Sequence, residues 1–378
     1  MQSTLTTEPS ITILVPSNRG FGNLGLITSY LLLPDEDARQ SLRSVLKHHL
    51  VRSVVYKSDI GPDVIRTYDT LDGSSVSIAD NVVTSSGTWN QTSRLVPLDT
   101  LTETGVIHEL DEVLLPAKLR VTIGDLALAA DGNTMITLIK RAGLSGLLNG
   151  SLTMGDVDDL DDWKRTHRRH RSSDSFSPYS NRRTPIGWTL LCPTDDAFKH
   201  VNLARLLDDQ EALRALVLQH IIPTPATPPK LSLPYPLSFQ DEATYTTLLS
   251  PSSLHGDIIF RKTTQANEGI NEPKDIIILG IRGARGTSGE TDFARLLNYG
   301  RTTTVDLAGT RSGVLQIDRV LEPWIPDWWN AWGWAVTGGL FGGVGIIAFW
   351  RVVYFFWRRS GDEATYEPLD GGDDEDDR

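Results

Sequence analysis

The chain has 378 residues, enough for two domains of ordinary size, and its 39% hydrophobic and 22% charged content is that of a folded protein. Its formal charge of −12 is concentrated at the end, where the last eighteen residues carry nine carboxylates and one arginine. The mildly acidic remainder argues against nucleic acid as a partner, and the single cysteine, Cys192, excludes an internal disulfide framework.

The opening MQSTLTTEPSITILVPS lacks the basic and apolar regions of a signal peptide. Either a segment upstream is absent from this sequence, the expectation that the repeat below favours, or the large region stays cytosolic as in a tail-anchored protein. In ITILVPSNRGF (11–21) an apolar strand ends at Pro16, Ser17 offers an oxygen to cap a helix, and Phe21 anchors that helix on the core. In SLRSVLKHHLV (41–51), Leu42, Val45, Leu46 and His49 share a helical face. Tyr56 follows in VVYKSD, and Asn90 opens the glycosylation sequon NQT. GVIHELDEVLLP (105–116) alternates as a strand, with Val106, His108, Leu110 and Leu114 on one face. A second sequon begins at Asn149 (NGS). Residues 153–185, acidic, then basic, then Ser-rich, and residues 223–300, with Pro-rich and Gly-rich stretches, read as mobile loops.

The chain repeats itself. WTLLCPTDDAF (188–198) matches ITILVPSNRGF, ALRALVLQHII (212–222) matches SLRSVLKHHLV without a gap, and SGVLQIDRVLEP (312–323) matches GVIHELDEVLLP. The second copy thus ends its strand at Pro193, offers Thr194-Asp195 as a cap, anchors with Phe198, and carries a helical face that ends at His220.

This order resembles the fasciclin (FAS1) domain family. The strand-Pro-[Ser/Thr]-[Asp/Asn]-x-x-Phe element is similar to its first signature, and GVIHELDEVLLP to its last. The helix ending in His49, with Tyr56 following, resembles its tyrosine-histidine motif; no tyrosine follows His220. The resemblance implies an α+β fold, two packed β-sheets with helices at one side, in two copies spanning residues 1–118 and 119–325. It also implies adhesion through protein or glycan ligands, with no catalytic activity and no cofactor. Residues 121–148 are similar to the family's paired N-terminal helices; the first copy has no counterpart, which leaves its core short of a cover.

Counted back from Pro116 and Pro323, the partner of His108 is Leu315; with a later gap it is Gln316. A group essential to chemistry would tolerate neither, so His108 reads as a core histidine with a satisfied ring nitrogen rather than a ligand or catalyst. His49 and His220 end apolar helical faces, where an imidazole hydrogen-bonds the last carbonyls. The alternative for both is a pH-sensing role in an acidic lumen. Cys192 lies in an apolar run and reads as a small buried hydrophobe. No metal motif occurs, since His167 and His170 sit among arginines, and no nucleophile–base pair can be assembled.

AWGWAVTGGLFGGVGIIAFW (331–350) has no charge over twenty residues, about 30 Å of helix and the thickness of a bilayer core. Seven of the ten tryptophans flank it: Trp324, Trp328, Trp329, Trp332 and Trp334 before, Trp350 and Trp357 after. Arg351, Arg358 and Arg359 then predict a cytosolic C-terminus (358–378) beyond a membrane helix (331–357), with both copies lumenal. Gly338/Gly342 and Gly339/Gly343 allow a weak homodimer of that helix. In the acidic tail, Tyr366 and Leu369 of YEPL fit a sorting signal read by an adaptor complex. The layout is similar to that of fungal fasciclin-domain proteins of the vacuolar membrane. A plasma-membrane adhesin, or a trafficking or fusion factor acting through its tail, is the alternative.

Overall fold

The structure, a computed structural model, describes residues 10–61, 64–86, 91–153, 186–225, 237, 240–251, 253, 256–265, 274–282, 293–304, 312–323 and 348–355. The chain divides into two units, Met1–Trp324 and Ile325–Arg378, and both copies of the repeat belong to the first.

The first copy runs β1 (Ile11–Pro16), α1 (Asn18–Asn23), α2 (Leu26–Leu31), α3 (Glu36–His48) and β2 (Leu50–Val51). It continues through β3 (Arg66–Asp69), β4 (Ser75–Ala79), β5 (Val82–Ser85), β6 (Thr92–Leu101) and β7 (Gly105–Leu110). Local chemistry accounts for these elements. Ser17 Oγ accepts the Gly20 N–H at 3.2 Å and opens α1 where Pro16 ends the strand. Asp35 caps α3, whose first turn is acidic (Glu36, Asp37) and last turn basic (Lys47, His48), each sign matching the helix dipole. Asp80 and Asn81, at φ 45° and 58°, make the tight turn between β4 and β5.

Instead of the two packed sheets expected, each copy has one continuous seven-stranded sheet. In the first its order is β2-β1-β7-β6-β5-β4-β3, with β1 parallel to β7 and the other pairs antiparallel. The register slips between Val96 and Thr100 on β6, at Pro97 and the left-handed Asp99 (φ 49°). Such a bulge bends a strand, so one sheet serves as both walls. Leu14, Val76, Ile78, Val83, Leu95 and Leu110 fill the space between them.

The second copy begins with α4 (Ile123–Ala129), α5 (Asn133–Arg141) and α6 (Gly146–Asn149), the paired helices and a short third. Then follow β8 (Ile186–Pro193), α7 (Leu203–Asp208), α8 (Gln210–Gln219), β9 (Ile221–Pro225) and β10 (Thr244–Tyr245). The last strands are β11 (Ile258–Gln265), β12 (Lys274–Ile281), β13 (Phe293–Arg301) and β14 (Gly313–Ile317). Read from the β9 edge, the order β9-β8-β14-β13-β12-β11-β10 repeats that of the first copy.

Residues 223–300, expected to be a mobile insertion, instead hold β10 to β13, about half of this sheet. The reason is apolar alternation: Ile258, Phe260, Leu279, Ile281 and Ala294 point inward against Leu315 and Ile317. The Pro-rich and Gly-rich stretches within it (226–236, 283–292), and the insertion at 154–185, lie outside the described residues.

The copies share one core. On α2, Leu26, Ile27 and Tyr30 pack in the same cluster as Ile123 and Leu126 of α4. A side chain on Gly300 of β13 would begin 2.8 Å from Leu26 Cβ, and Gly25, at φ +55°, lets the chain pass directly against the Tyr299 carbonyl. The connecting segment is pinned as well: Thr303 Oγ1 accepts the Val121 N–H and donates to the Leu119 carbonyl, both at 2.7 Å.

In the C-terminal unit, residues 348–355 are helical and Phe349, Trp350, Tyr354 and Phe355 are exposed. Among the described residues no helix is long and apolar enough to cross a membrane. Residues 331–347 of the expected span lie outside the described residues, as do Asn90, Tyr366 and Leu369.

Candidate functional site

His49 and His220 occupy the same position in the two copies and make the same bonds. His49 Nδ1–H donates to the Val45 carbonyl one turn back (2.8 Å), and its Nε2 accepts the Leu114 N–H (3.1 Å). His220 Nδ1–H donates to the Leu216 carbonyl (2.8 Å), and its Nε2 accepts the Leu321 N–H (3.2 Å). Each ring therefore clamps the end of a helix to the segment that follows the last strand. Both must be neutral, because a protonated Nε2 would face an N–H donor. Burial accordingly pushes both down from 6.5 to about 4, against the hydrogen bonds to Val45 and Leu216.

His108 is fully buried on β7, with Nε2–H donating to the Val55 carbonyl (2.7 Å) and Nδ1 accepting the Leu98 N–H (3.2 Å). Its strand register is Leu14↔His108, and the matching pair in the second copy is Leu191↔Leu315. The ungapped partner is thus Leu315, and both ring nitrogens are spent on backbone groups.

A buried polar cluster around His48 had no sequence signature, because its members are scattered from residue 48 to residue 85 and follow no motif. His48 Nε2 donates to Ser85 Oγ (2.9 Å), while Nδ1 faces Asp72 Oδ1 (3.1 Å) and Ser74 Oγ (2.6 Å). Burial opposes ionisation of Asp72, yet hydrogen bonds from His48, Ser74 and Thr70 hold its carboxyl well below the usual carboxylate range. Serine, histidine and aspartate in a row invite comparison with a nucleophilic triad, but the polarity is reversed. The Ser85 hydroxyl donates to the Leu115 carbonyl (3.0 Å), so the imidazole does not receive its proton. The role is structural: the equivalent residue, Gln219, likewise bonds from the helix end to the loop before the next long strand, at the Gly256 carbonyl (3.1 Å).

The other signature residues divide by copy. Phe198 and Pro193 are buried, whereas Phe21 and Pro16 are half-exposed. Tyr56 is 44% exposed, and its backbone N–H is held by Asp59 (2.9 Å), so here it closes a turn rather than packing. The expected cap at Thr194 makes no side-chain bond. Asp195 instead reaches the other helix pair, accepting the Thr134 N–H (2.7 Å) and the Asn133 amide (3.0 Å) at the start of α5. Asn149 is exposed, its Oδ1 accepting from the Ser151 N–H and hydroxyl.

Cys192 is fully buried, and burial pushes its thiol up, away from the reactive thiolate. Maleimide should leave the folded chain unlabelled and react only after unfolding; stoichiometric labelling under native conditions would contradict this packing. Among the described residues no group of three His, Cys, Asp or Glu side chains is placed to hold a metal ion.

The most distinctive surface is the outer face of β1 and β7. At equivalent positions Val15 is 43% exposed and Cys192 fully buried, while Leu46 is 37% exposed and Val217 fully buried. Leu42, Ile13 and Phe21 are half-exposed where Leu213, Leu190 and Phe198 are buried. α4 and α5 cover this face in the second copy, and nothing described covers it in the first.

Comparison with known proteins agrees with this duplicated architecture. The fasciclin domain profile matches residues 1–116 and 131–254. Transforming growth factor-beta-induced protein ig-h3 of Sus scrofa is 28% identical over 153 residues, 40% of this chain and 21% of that protein. The protein of the same name from Oryctolagus cuniculus is 27% identical over the same shares. The chain thus spans about a fifth of the length of these curated relatives. Among solved structures, a FAS1 domain pair from the insect cell adhesion molecule fasciclin I aligns with 85% of this chain and 91% of its own, at 13% identity and TM-score 0.29. With two matched segments that together cover more than half of its length, the chain belongs to the fasciclin domain family, as a tandem pair.

Proposed function

We propose that this protein is a non-enzymatic, membrane-anchored adhesion or interaction protein. Its fasciclin pair faces away from the cytosol, and its tail directs it to a vacuolar or lysosome-like membrane. One observation carries the reading: a fasciclin pair followed in the same chain by an uncharged twenty-residue stretch with tryptophans at both ends and arginines after it. Fasciclin domains occur in adhesion proteins, and His49, His108 and His220 are committed to backbone groups rather than to a substrate. The destination rests on Tyr366 and Leu369, whose spacing suits an extended peptide with two anchor pockets.

Topology is tested on sealed vesicles. The chain should resist alkaline carbonate extraction, and added protease should remove only the tail. Extraction by carbonate, or digestion of the pair, would refute the anchor or its orientation. Endoglycosidase treatment should shift the gel mobility, and Asn149→Gln should abolish part of that shift, since Asn149 is exposed at a helix end. Tyr366→Ala should move the protein to the cell surface. If location is unchanged, the sorting assignment fails; if the native chain is already at the surface, the plasma-membrane reading replaces it.

A further inference from the structure

The two copies differ in one row of paired residues at the end of their sheets. In the first copy this row crosses β6, β7 and β1 as Leu101–Val106–Thr12. In the second it crosses β13, β14 and β8 as Arg301–Gly313–Thr189. The repeat supports the match, since Leu315 stands at His108 two residues on and WTLLCP sets Thr189 at Thr12. In the first copy the row is closed. Val106 is fully buried at its centre, and Thr12 Oγ1 is spent, donating to the Ser53 carbonyl (2.7 Å) and accepting the Val55 N–H (2.9 Å).

In the second copy Gly313 leaves that centre without a side chain. Arg301 faces the same side as Tyr299, toward the apolar interior of the sheet, because Gly300 between them is turned to Leu26. At about 4.8 Å per strand, Arg301 and Thr189 stand about 10 Å apart across Gly313, a gap over which the guanidinium extends. Thr189 is buried, and its hydroxyl meets the Thr224 hydroxyl (2.9 Å) rather than the backbone. Two hydroxyls carry two hydrogens, and that bond uses one. The other has only the Ile222 carbonyl, 3.4 Å from Thr224 Oγ1, which leaves a donor for a ligand.

Arg301 is half-buried, burial pushes its guanidinium down, and among the described residues no carboxylate pairs with it. Taking an unpaired charge out of water costs stability, and Leu101 shows that the fold needs no cation in this row. The chemistry present selects a ligand. A guanidinium fork matches a carboxylate through two parallel hydrogen bonds, and threonine hydroxyls both donate and accept, as sugar hydroxyls do. An extended peptide is disfavoured, because β14 is paired with β13 on one side and β8 on the other and offers no free strand edge.

We propose that Arg301, Thr189 and Thr224 of the second copy bind the carboxylate of an acidic sugar, a uronate of a partner glycan, over the gap that Gly313 leaves. This rests on the interaction role proposed above and gives it a ligand class. It needs neither the membrane anchor nor the destination, so a failed topology test leaves it standing, and its own failure leaves the anchor standing.

The full chain in detergent is titrated calorimetrically with a galacturonate tetramer and with its methyl ester, which keeps the shape and removes the charge. The acid should bind at least about tenfold more tightly than the ester. Arg301→Leu, the residue of the first copy, should abolish that preference, and Arg301→Lys should recover only part of it, since an ammonium lacks the fork. Gly313→Val should weaken acid and ester alike by filling the gap. Without ligand, the unfolding midpoint of Arg301→Leu should be unchanged or higher, because a desolvated, unpaired charge has been removed. Equal binding of acid and ester, or no binding of either at about millimolar concentration, overturns the proposal. So does a tetraglutamate peptide that binds as tightly, which makes the ligand a polypeptide. A midpoint lowered alike by Arg301→Leu and Asp306→Asn also overturns it, by making a carboxylate of this chain the partner.

Discussion

Acidification from pH 6.5 to pH 4 is expected to cost the folded pair about 3 kcal/mol for each clamped histidine, His49 and His220. Both are neutral in the fold, where burial holds them at about 4, while in the unfolded chain they protonate near 6.5. The unfolded state therefore binds more protons throughout that window, and stability falls as pH falls. The contribution is whole above pH 6.5 and gone below about 4. His48 and Asp72 also face His49, and the Asp72 carboxylate eases its protonation slightly where His48 opposes it. Denaturant unfolding at a series of pH values measures the slope. His49→Gln with His220→Gln should flatten it, at a lower stability near neutrality, since glutamine offers an acceptor but no titration. An acid slope unchanged in that double variant would remove the clamps as its cause. In an acidic compartment this softening would act first on the segments after Leu114 and Leu321, which the two rings hold.

Gly25→Ala is expected to destabilise the tandem by about 3 kcal/mol or more. The backbone there (φ +55°, ψ −125°) is one that a residue with a Cβ rarely adopts, at a cost of about 1–3 kcal/mol. A methyl there would also run into the backbone carbonyl of Tyr299 on the other copy, which cannot swing aside as a side-chain end can. Leu26→Ala, one residue on and fully buried, should cost about 2–5 kcal/mol through the cavity left beside Gly300. Both losses should appear in one cooperative transition, because the copies share a core. If Gly25→Ala unfolds at the wild-type midpoint, or if wild type unfolds in two separated steps, the shared core is not what holds the copies together.

These two predictions differ in how far the sequence reaches. The positions of His49 and His220 were legible from an ungapped repeat, and the spacing to Val45 and Leu216 already placed a carbonyl one turn back. Their second bonds, to Leu114 and Leu321, span 65 and 101 residues and follow from no local pattern. His48 carries no local signature for the same reason. It breaks the apolar face of α3, and its partners Asp72, Ser74 and Ser85 carry no motif.

By itself the sequence determined the duplication, the strand–proline–helix openings, the choice of Leu315 or Gln316 as the partner of His108, and the family. All of these rest on spacing between neighbours along the chain, which side-chain periodicity encodes directly. Only the tertiary structure decided that β11, β12 and β13 complete a sheet, that one bent sheet replaces two, and that the copies fuse through Gly25 and Gly300. Each of those outcomes depends on which distant surfaces meet. Short strands gain stability only from the partners they find, and a glycine reveals why it is needed only when another backbone arrives beside it.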